Sequence, residues 1–188
     1  MGKTYTGLDK RLAEFIRSQH VFFVATAPSG SGGHVNVSPK GYRDTFAVLG
    51  PQRFAYLDLT GSSAETIAHL RQNGRITIMF CSFGDAPKIL RIYGTGRPVL
   101  PADPDWPEFA ARFADRDGAG TDRGNQRAII VVEADRIADT CGYAVPIMEL
   151  VSERDVLSRW TERRSPEQLA AYQEEHNKVS IDGLPALG

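Results

Sequence analysis

The stretch from Phe54 to Arg97 constrains the fold most, because strand, turn and helix signals follow one another there with no spare residues. The run Phe54–Leu59 alternates in the manner of a strand and stops at a turn made by Thr60–Ser63. Ile67 and Leu70 then fall at helical spacing. The stretch therefore predicts a strand, a tight turn and a short helix, followed by two further strands.

The serines of that turn allow two interpretations. Ser62 or Ser63 can cap the helix, with Glu65 or Thr66 close behind in a loose capping-box arrangement. Hydroxyl groups and free backbone N–H groups at a helix start also form a site for a phosphate, because the helix dipole favours an anion. An ordinary cap that binds nothing and a phosphate site both fit these residues.

The rest of the chain adds strands that are joined by short loops. Strand patterns cover His20–Thr26, His34–Ser38, Thr45–Leu49, Arg53–Leu59, Arg75–Ser82, Ile89–Leu100 and Ala128–Glu133. Gly94 and Gly96 indicate a bulge or a sharp bend within their strand. So many consecutive strands favour an antiparallel barrel over a parallel sheet with crossover helices. We therefore expect a mainly β fold with flanking helices.

Helical patterns lie on both sides of the predicted barrel. They cover Leu8–Ser18, Pro104–Ala114, Glu153–Arg163 and Ser165–Asn177, the last with a serine cap, and residues 115–125 read as an exposed loop. We expect residues 1–138 to form the barrel domain and residues 139–188 to form a helical C-terminal extension. The extension would pack on the barrel or on a dimer mate, either as a lid or as a buttress, and its apolar tail would dock on one of the two.

The early strand after the first loop has one apolar and one polar side. Val35 and Val37 form the apolar side, and His34, Asn36 and Ser38 form the other. The polar side predicts either the solvated side of an antiparallel sheet or part of a binding site.

Charge and cysteine content exclude several classes of function. A formal net charge of -1 over 188 residues gives no general attraction to nucleic acid or to an anionic membrane. No stretch reaches the roughly 20 apolar residues that span a bilayer, so we expect a cytoplasmic protein. Cys81 and Cys141 are expected to be reduced thiols. The histidines lack the spacing of metal ligands, which predicts no metal site, and His69 is expected to face solvent.

Three segments together resemble a known family. They are Asn36–Gly41 on the early strand, Tyr56–Ser63 before the short helix, and Leu90–Gly96 on the later strand. Their order resembles that of the pyridoxamine 5'-phosphate oxidase-like, FMN-binding split β-barrels, over roughly His20 to Glu133. The resemblance implies a homodimer that holds FMN in clefts between its subunits.

The same resemblance implies a set of cofactor-binding residues. Lys40, Ser62, Ser63 and Arg91 would face the phosphate and ribityl chain of FMN, and Thr60 would join them from the turn. By the same likeness, Asn36 and Ser38 would lie along the edge of the isoalloxazine ring.

The chain also departs from the biosynthetic oxidases of this family. Those enzymes place an arginine and a lysine at the phosphate where this chain has Ser63 and Ala64. Charged contacts are about twice as strong as neutral ones, so FMN should bind more weakly here unless Lys40, Arg91 or a partner residue compensates. No counterpart of the C-terminal arginine-and-histidine element is present, which argues against vitamin B6 synthesis.

Three functions remain open. The first is an FMN-dependent oxidoreductase that acts on a small organic substrate; since the flavin does the redox chemistry, no protein acid or base is required and no catalytic residue is assigned. The second is a reductase of the same fold that uses the deazaflavin F420. The third is a non-catalytic protein that binds flavin or haem.

Overall fold

A computed structural model describes residues 2–113 and 124–188. Its strands are β1 (Thr4–Tyr5), β2 (Phe22–Thr26), β3 (Asn36–Lys40), β4 (Phe46–Val48), β5 (Arg53–Leu59), β6 (Arg75–Cys81), β7 (Ile89–Val99) and β8 (Gln126–Thr140). Its helices are α1 (Lys10–Ser18), α2 (Glu65–Asn73), α3 (Trp106–Ala110), α4 (Val156–Glu162) and α5 (Pro166–His176). Each expected element is therefore present, most with ends shifted by a few residues. The expected end of the third helix at Ala114 and most of the expected loop at 115–125 lie outside the described residues.

The strands form one antiparallel sheet that curls on itself. Its order is β3-β2-β6-β7-β8-β5-β4, and β1 pairs with the last part of β8. The curl brings Phe22 on β2 against Phe46 on β4, with ring centroids 5.2 Å apart, although these strands lie near opposite edges. The described strands thus confirm an antiparallel barrel that is open between β3 and β4.

The main apolar core fills the inside of this curled sheet. Ile78, Leu90 and Ile130 are fully buried there, and α1 and α2 pack against the same core through residues such as Ile16 and Ile67. Burying each such side chain contributes about 1.5–3 kcal/mol. The inside of the barrel is therefore a packed core and the site must lie at its opening or outside it.

One part of the outer surface of the sheet carries a second core. Leu57 on β5 and Ile129 and Val131 on β8 are buried there against Phe109 of α3 and the following Phe113. Strand β5 and the first half of β8 are thus buried on both faces, which explains why these stretches are almost continuously apolar.

The outer face of β3, β2, β6 and β7 has no such cover among the described residues. Val35 and Val37 are 71% and 60% exposed there. Asn36 and Ser38 lie on the inner side and are half-buried, because each pairs in register with a buried residue of β2. Asn36 and Ser38 therefore do not lie on the solvated side of the sheet, whereas His34, the third residue of that polar side, is exposed.

Helix α2 corrects two expectations. Its N-cap is Ala64, and no side chain of the described residues caps it, while Ser62 and Ser63 are exposed in the turn before it. His69, expected to face solvent, is fully buried with Nδ1 2.9 Å from Oγ1 of Thr26. Burial lowers the pKa of His69, so it is neutral at pH 7. The polar ring is buried because a hydroxyl partner lies on the neighbouring strand.

The bulge expected near the glycines of β7 is confirmed. The register between β7 and β8 shifts between Tyr93 and Gly94. A side chain at Gly94 would collide with the carbonyl oxygen of Glu133, so the backbones approach closely only because this residue is glycine. Strand β8 also runs on to Thr140, well beyond the predicted end at Glu133.

The residues after β8 fold back on their own chain. Ser165 caps α5 as expected, in a capping box with Gln168. In the tail, Val179 forms a β-bridge with Pro185, and Ala186 is fully buried in the main core. The expected docking of the tail is therefore confirmed, and it occurs within one chain. No helix of the described residues is long and apolar enough to cross a membrane.

Candidate functional site

Polar side chains line the opening of the barrel on the inner side of β3. The Nδ2 of Asn36 donates to Oγ1 of Thr66 in the first turn of α2, at 3.2 Å. The hydroxyl of Ser38 donates to Oδ1 of Asn36, also at 3.2 Å. These bonds tie an edge strand to the start of α2 and fix the orientation of the Asn36 amide.

An ion network crosses the opening beside them. Nζ of Lys40 lies 2.8 Å from Oδ1 of Asp58, and Nε of Arg127 lies 2.7 Å from Oδ2 of the same carboxylate. Nη2 of Arg127 donates to the carbonyl oxygen of Ser63 at 2.6 Å. The network therefore connects β3, β5 and β8 to the turn before α2.

The two cations keep the buried carboxylate charged. Complete burial by itself would raise the pKa of Asp58, but the charges and hydrogen bonds of Lys40 and Arg127 outweigh it and lower the pKa to about 2. Two cations facing one carboxylate leave an excess of positive charge. The opening of the barrel is thus suited to an anionic group.

The turn before α2 presents its serines to solvent and keeps its threonine inside. Ser62 and Ser63 are exposed. Thr60 is buried, and its hydroxyl donates to the carbonyl oxygen of Asn125 at 3.0 Å and accepts from Nε2 of Gln173 at 2.8 Å. The Thr60 hydroxyl is therefore already used within the chain both as a donor and as an acceptor.

Arg91 is the one predicted site residue that the fold does not bring to this opening. It neighbours Leu90 and Ile92, which point into the core, so its side chain lies on the outer face. Its Nη1 donates to the hydroxyl of Thr140 at 3.0 Å. Within one chain, Arg91 and Lys40 are on opposite faces of the sheet.

Arg127 is a site residue that the sequence interpretation missed. Its side chain is 5% exposed, and its Nη1 is buried without a hydrogen-bond partner in the described part of the chain. The sequence signal was a single arginine directly before the apolar run of β8. Its partner Asp58 is 69 residues away along the chain, so no local pattern joins the two.

A cleft lies beside the turn, under the last two helices. Its volume is about 410 Å³, and Gly61, Leu157, Trp160 and Tyr172 line it. The amide of Asn177 holds the helices against the turn by donating to the carbonyl oxygen of Gly61 at 2.8 Å. The C-terminal helices therefore form one wall of the space next to the exposed serines.

These residues fit a ligand with a phosphate group. Two exposed hydroxyls lie beside the network of Lys40 and Arg127, at a helix start that no side chain of the described residues caps. Glu65 adds a negative charge in the same turn of α2, where its carboxylate accepts the backbone N–H of Ile181 at 3.1 Å, and this charge offsets part of the positive charge of the network. Asn36 and Ser38 add amide and hydroxyl groups that suit the polar edge of a ring.

Known proteins resemble both the barrel and the C-terminal segment of this chain. A model of the pyridoxamine 5'-phosphate oxidase family matches residues 8–141. A pyridoxamine 5'-phosphate oxidase family protein of Aspergillus flavus, ustO, is 38% identical over 197 residues, covering 97% of this chain and 77% of that protein. That relative therefore matches most of the C-terminal segment as well as the barrel.

Solved structures with similar folds are more distant in sequence. The haem storage protein HutZ of Vibrio cholerae is 17% identical, with a TM-score of 0.49, over 73% of this chain and 99% of that one. An FMN-binding protein of Syntrophomonas wolfei is 15% identical, with a TM-score of 0.48, over 70% of this chain and 88% of that one.

Proposed function

Since the chain belongs to the pyridoxamine 5'-phosphate oxidase family, we propose that it is an FMN-binding oxidoreductase which acts as a homodimer on a small organic substrate. The observation that carries this proposal is the ion network of Lys40, Asp58 and Arg127, which joins the inner side of β3 to the turn before α2. That network places a net positive charge beside two exposed serines, at a helix start that suits a phosphate.

Each group of residues has a distinct part in this proposal. Ser62 and Ser63 donate hydrogen bonds to the phosphate, and Lys40 offsets its charge from the opposite side of the opening. Arg127 holds the turn in place through the Ser63 carbonyl oxygen. Asn36, oriented by Thr66, lies at the polar edge of the ring. Bound FMN would supply the redox chemistry, and the chain binds and orients it.

The uncovered outer face supports the homodimer. Val37 on β3 and Val35 directly before it are strongly exposed, and half-buried Phe23 and Met79 continue the same face across β2 and β6. Contiguous exposed apolar surface of this kind marks an interaction site. Arg91 lies on that face, so a second copy is required to bring an arginine of this position to the cofactor.

The proposal is tested by identifying what the purified protein carries. We expect acid to release FMN, recognised by its mass, from protein that scatters light as a dimer at micromolar concentration. Release of F420 or haem in place of FMN would overturn the cofactor assignment. A monomer in light scattering would overturn the homodimer while leaving the cofactor assignment standing.

A further inference from the structure

Two amide side chains at the end of α5 hold the turn that precedes α2. Nε2 of Gln173 donates to Oγ1 of Thr60 at 2.8 Å. Nδ2 of Asn177, the C-cap of α5, donates to the carbonyl oxygen of Gly61, also at 2.8 Å. Gln173 and Asn177 are four residues apart, so they lie on the same face of the helix. One helix face therefore holds two neighbouring residues of the turn.

Asn177 is fixed in place by its own backbone. The residue is fully buried. Its backbone N–H donates to the carbonyl oxygen of Gln173 at 2.8 Å, and its carbonyl oxygen accepts the N–H of Leu187 from the tail at 3.1 Å. Its Oδ1 is buried without a hydrogen-bond partner in the described part of the chain, which costs free energy. The amide thus adds little to the stability of the fold, and the bond from its Nδ2 acts on the turn.

That bond also sets the direction in which the peptide groups of the turn face. The peptide groups are trans, so the C=O of one residue and the N–H of the next point in opposite directions. Asn177 holds the C=O of Gly61, and the N–H of Ser62 therefore faces away from the buried amide. Arg127 acts in the same way two residues later, where its Nη2 donates to the carbonyl oxygen of Ser63 at 2.6 Å. Two buried side chains thus direct alternate N–H groups of the turn away from themselves.

The turn needs this outside support to bind an anion. Residues 60–64 carry no charge, so the turn itself offers a phosphate only hydroxyl and N–H groups, which must face the ligand. Glycine has the greatest backbone freedom of any residue, so Gly61 does not fix the direction of its own peptide group. The contact from Asn177 supplies that restriction.

We propose that Gln173 and Asn177 are positioning residues of the cofactor site, and that they shape the turn so that it binds the phosphate of the flavin. They act through Thr60 and Gly61 and not by contact with the cofactor. The C-terminal segment is then part of the cofactor site. This inference rests on the proposed FMN-binding function, because it concerns how the same site recognises the phosphate.

Titration of the flavin-free, full-length protein with FMN and with riboflavin, followed by flavin fluorescence, tests this role. Riboflavin has the same ring and ribityl chain without the phosphate, so the ratio of the two dissociation constants reports the phosphate contact. Asn177→Leu keeps the size and removes the amide. It should weaken FMN binding about five- to tenfold and riboflavin binding less than about twofold. Gln173→Met should weaken FMN binding about two- to fivefold with the same selectivity.

Asn73→Leu is the matched control. Nδ2 of Asn73 donates to the carbonyl oxygen of Ala27 at 2.9 Å, so this amide also holds a loop, but at the other end of α2. The ratio of dissociation constants in this variant should equal that of the wild type. Circular dichroism verifies that each variant is folded, and if Asn177→Leu is not, the half-buried Gln173 decides the question through its own variant.

The outcomes separate this inference from the function on which it rests. A wild type that prefers FMN, with the same ratio in both variants, would overturn the positioning role and leave the FMN-binding function standing. Equal losses of FMN and riboflavin affinity would show a general structural role and would also contradict the inference. A folded wild type that binds neither flavin would overturn the proposed function and this inference with it.

Discussion

Two parts of the same sheet surface differ in what covers them. The outer face of β5 and of the first half of β8 is buried under Phe109 and Phe113. The outer face of β3, β2, β6 and β7 exposes Val35 and Val37. Both faces carry apolar residues, yet only the first finds its cover within the described residues.

This difference shows what strand alternation can and cannot say. Alternation establishes which side chains share a face, because successive residues point to opposite sides. It does not establish what lies over that face. For the uncovered face we propose a second copy of the chain, and β3 then carries subunit contacts on one side and the cofactor residues Asn36, Ser38 and Lys40 on the other. The following changes test each side in turn.

The largest effect is expected under α3. Phe109→Ala removes a buried ring from the covered face and should lower the free energy of unfolding by about 3–5 kcal/mol. Denaturant unfolding measures it, and the loss should be the same at low and high protein concentration. A loss that shrinks as the concentration rises would mean that this face, too, is completed by another subunit.

Lowering the pH should reduce the free energy of unfolding through a group on the inner side of the sheet, Asp58, and not through the outer faces. The pKa of Asp58 is about 2 in the folded chain, compared with the ordinary value of 3.8 that applies in the unfolded chain. A carboxyl with a lowered pKa stabilises the fold above its unfolded pKa, and the stabilisation is lost as pH falls through the folded value. We therefore expect the free energy of unfolding to fall by about 2 kcal/mol between pH 4 and pH 2.

The variant Asp58→Asn identifies the source of that acid sensitivity. In this variant the free energy of unfolding, measured with denaturant, should no longer fall by this amount between pH 4 and pH 2. Asp105→Asn is the matched control, because its pair with Arg97 is about half exposed and contributes less than about 1 kcal/mol. An unchanged slope in Asp58→Asn would show that other carboxyl groups govern acid unfolding.

A smaller effect is expected on the uncovered face. Val37→Asp places a charge where a dimer would bury a valine, so the dimer dissociation constant should rise at least about tenfold, or about 1.4 kcal/mol. The stability of the single chain should change by no more than about 0.5 kcal/mol, since the side chain is exposed. Sedimentation velocity measures the dimer dissociation constant. Val37→Thr, which keeps the shape without the charge, is the control, and equal dissociation of the two variants would contradict an interface here.

Much of the fold was predictable from local patterns. The strand Arg53–Leu59 has the bounds that were predicted, and the cap at Ser165 was visible as a serine before a proline. The later half of β8 was missed because Asp135 and Arg136 interrupt its apolar run. Those residues are tolerated because that part of the strand is partly exposed.

The site was less predictable, because its contacts join distant parts of the chain. His69 was placed in solvent by its polarity, but Thr26 on another strand gives it a partner inside. Arg127 was not recognised, because the pairing of β5 with β8 brings Asp58 to it, and the curl of the sheet brings Lys40. The segments that resemble the family include the turn and β3, and Arg91 lies on the outer face, so its predicted role at the cofactor depends on the proposed second copy.

Titration of the flavin-free protein with FMN, followed by flavin fluorescence, tests the cofactor site most directly. We expect saturable binding by the wild type, a roughly 10- to 100-fold loss of affinity in Lys40→Ala, and a loss of no more than about tenfold in Ser62→Ala. The difference follows because a charged partner of a phosphate is worth more than a neutral hydroxyl. The absence of binding by the folded wild type, or equal losses in the two variants, would contradict a phosphate site at the opening of the barrel.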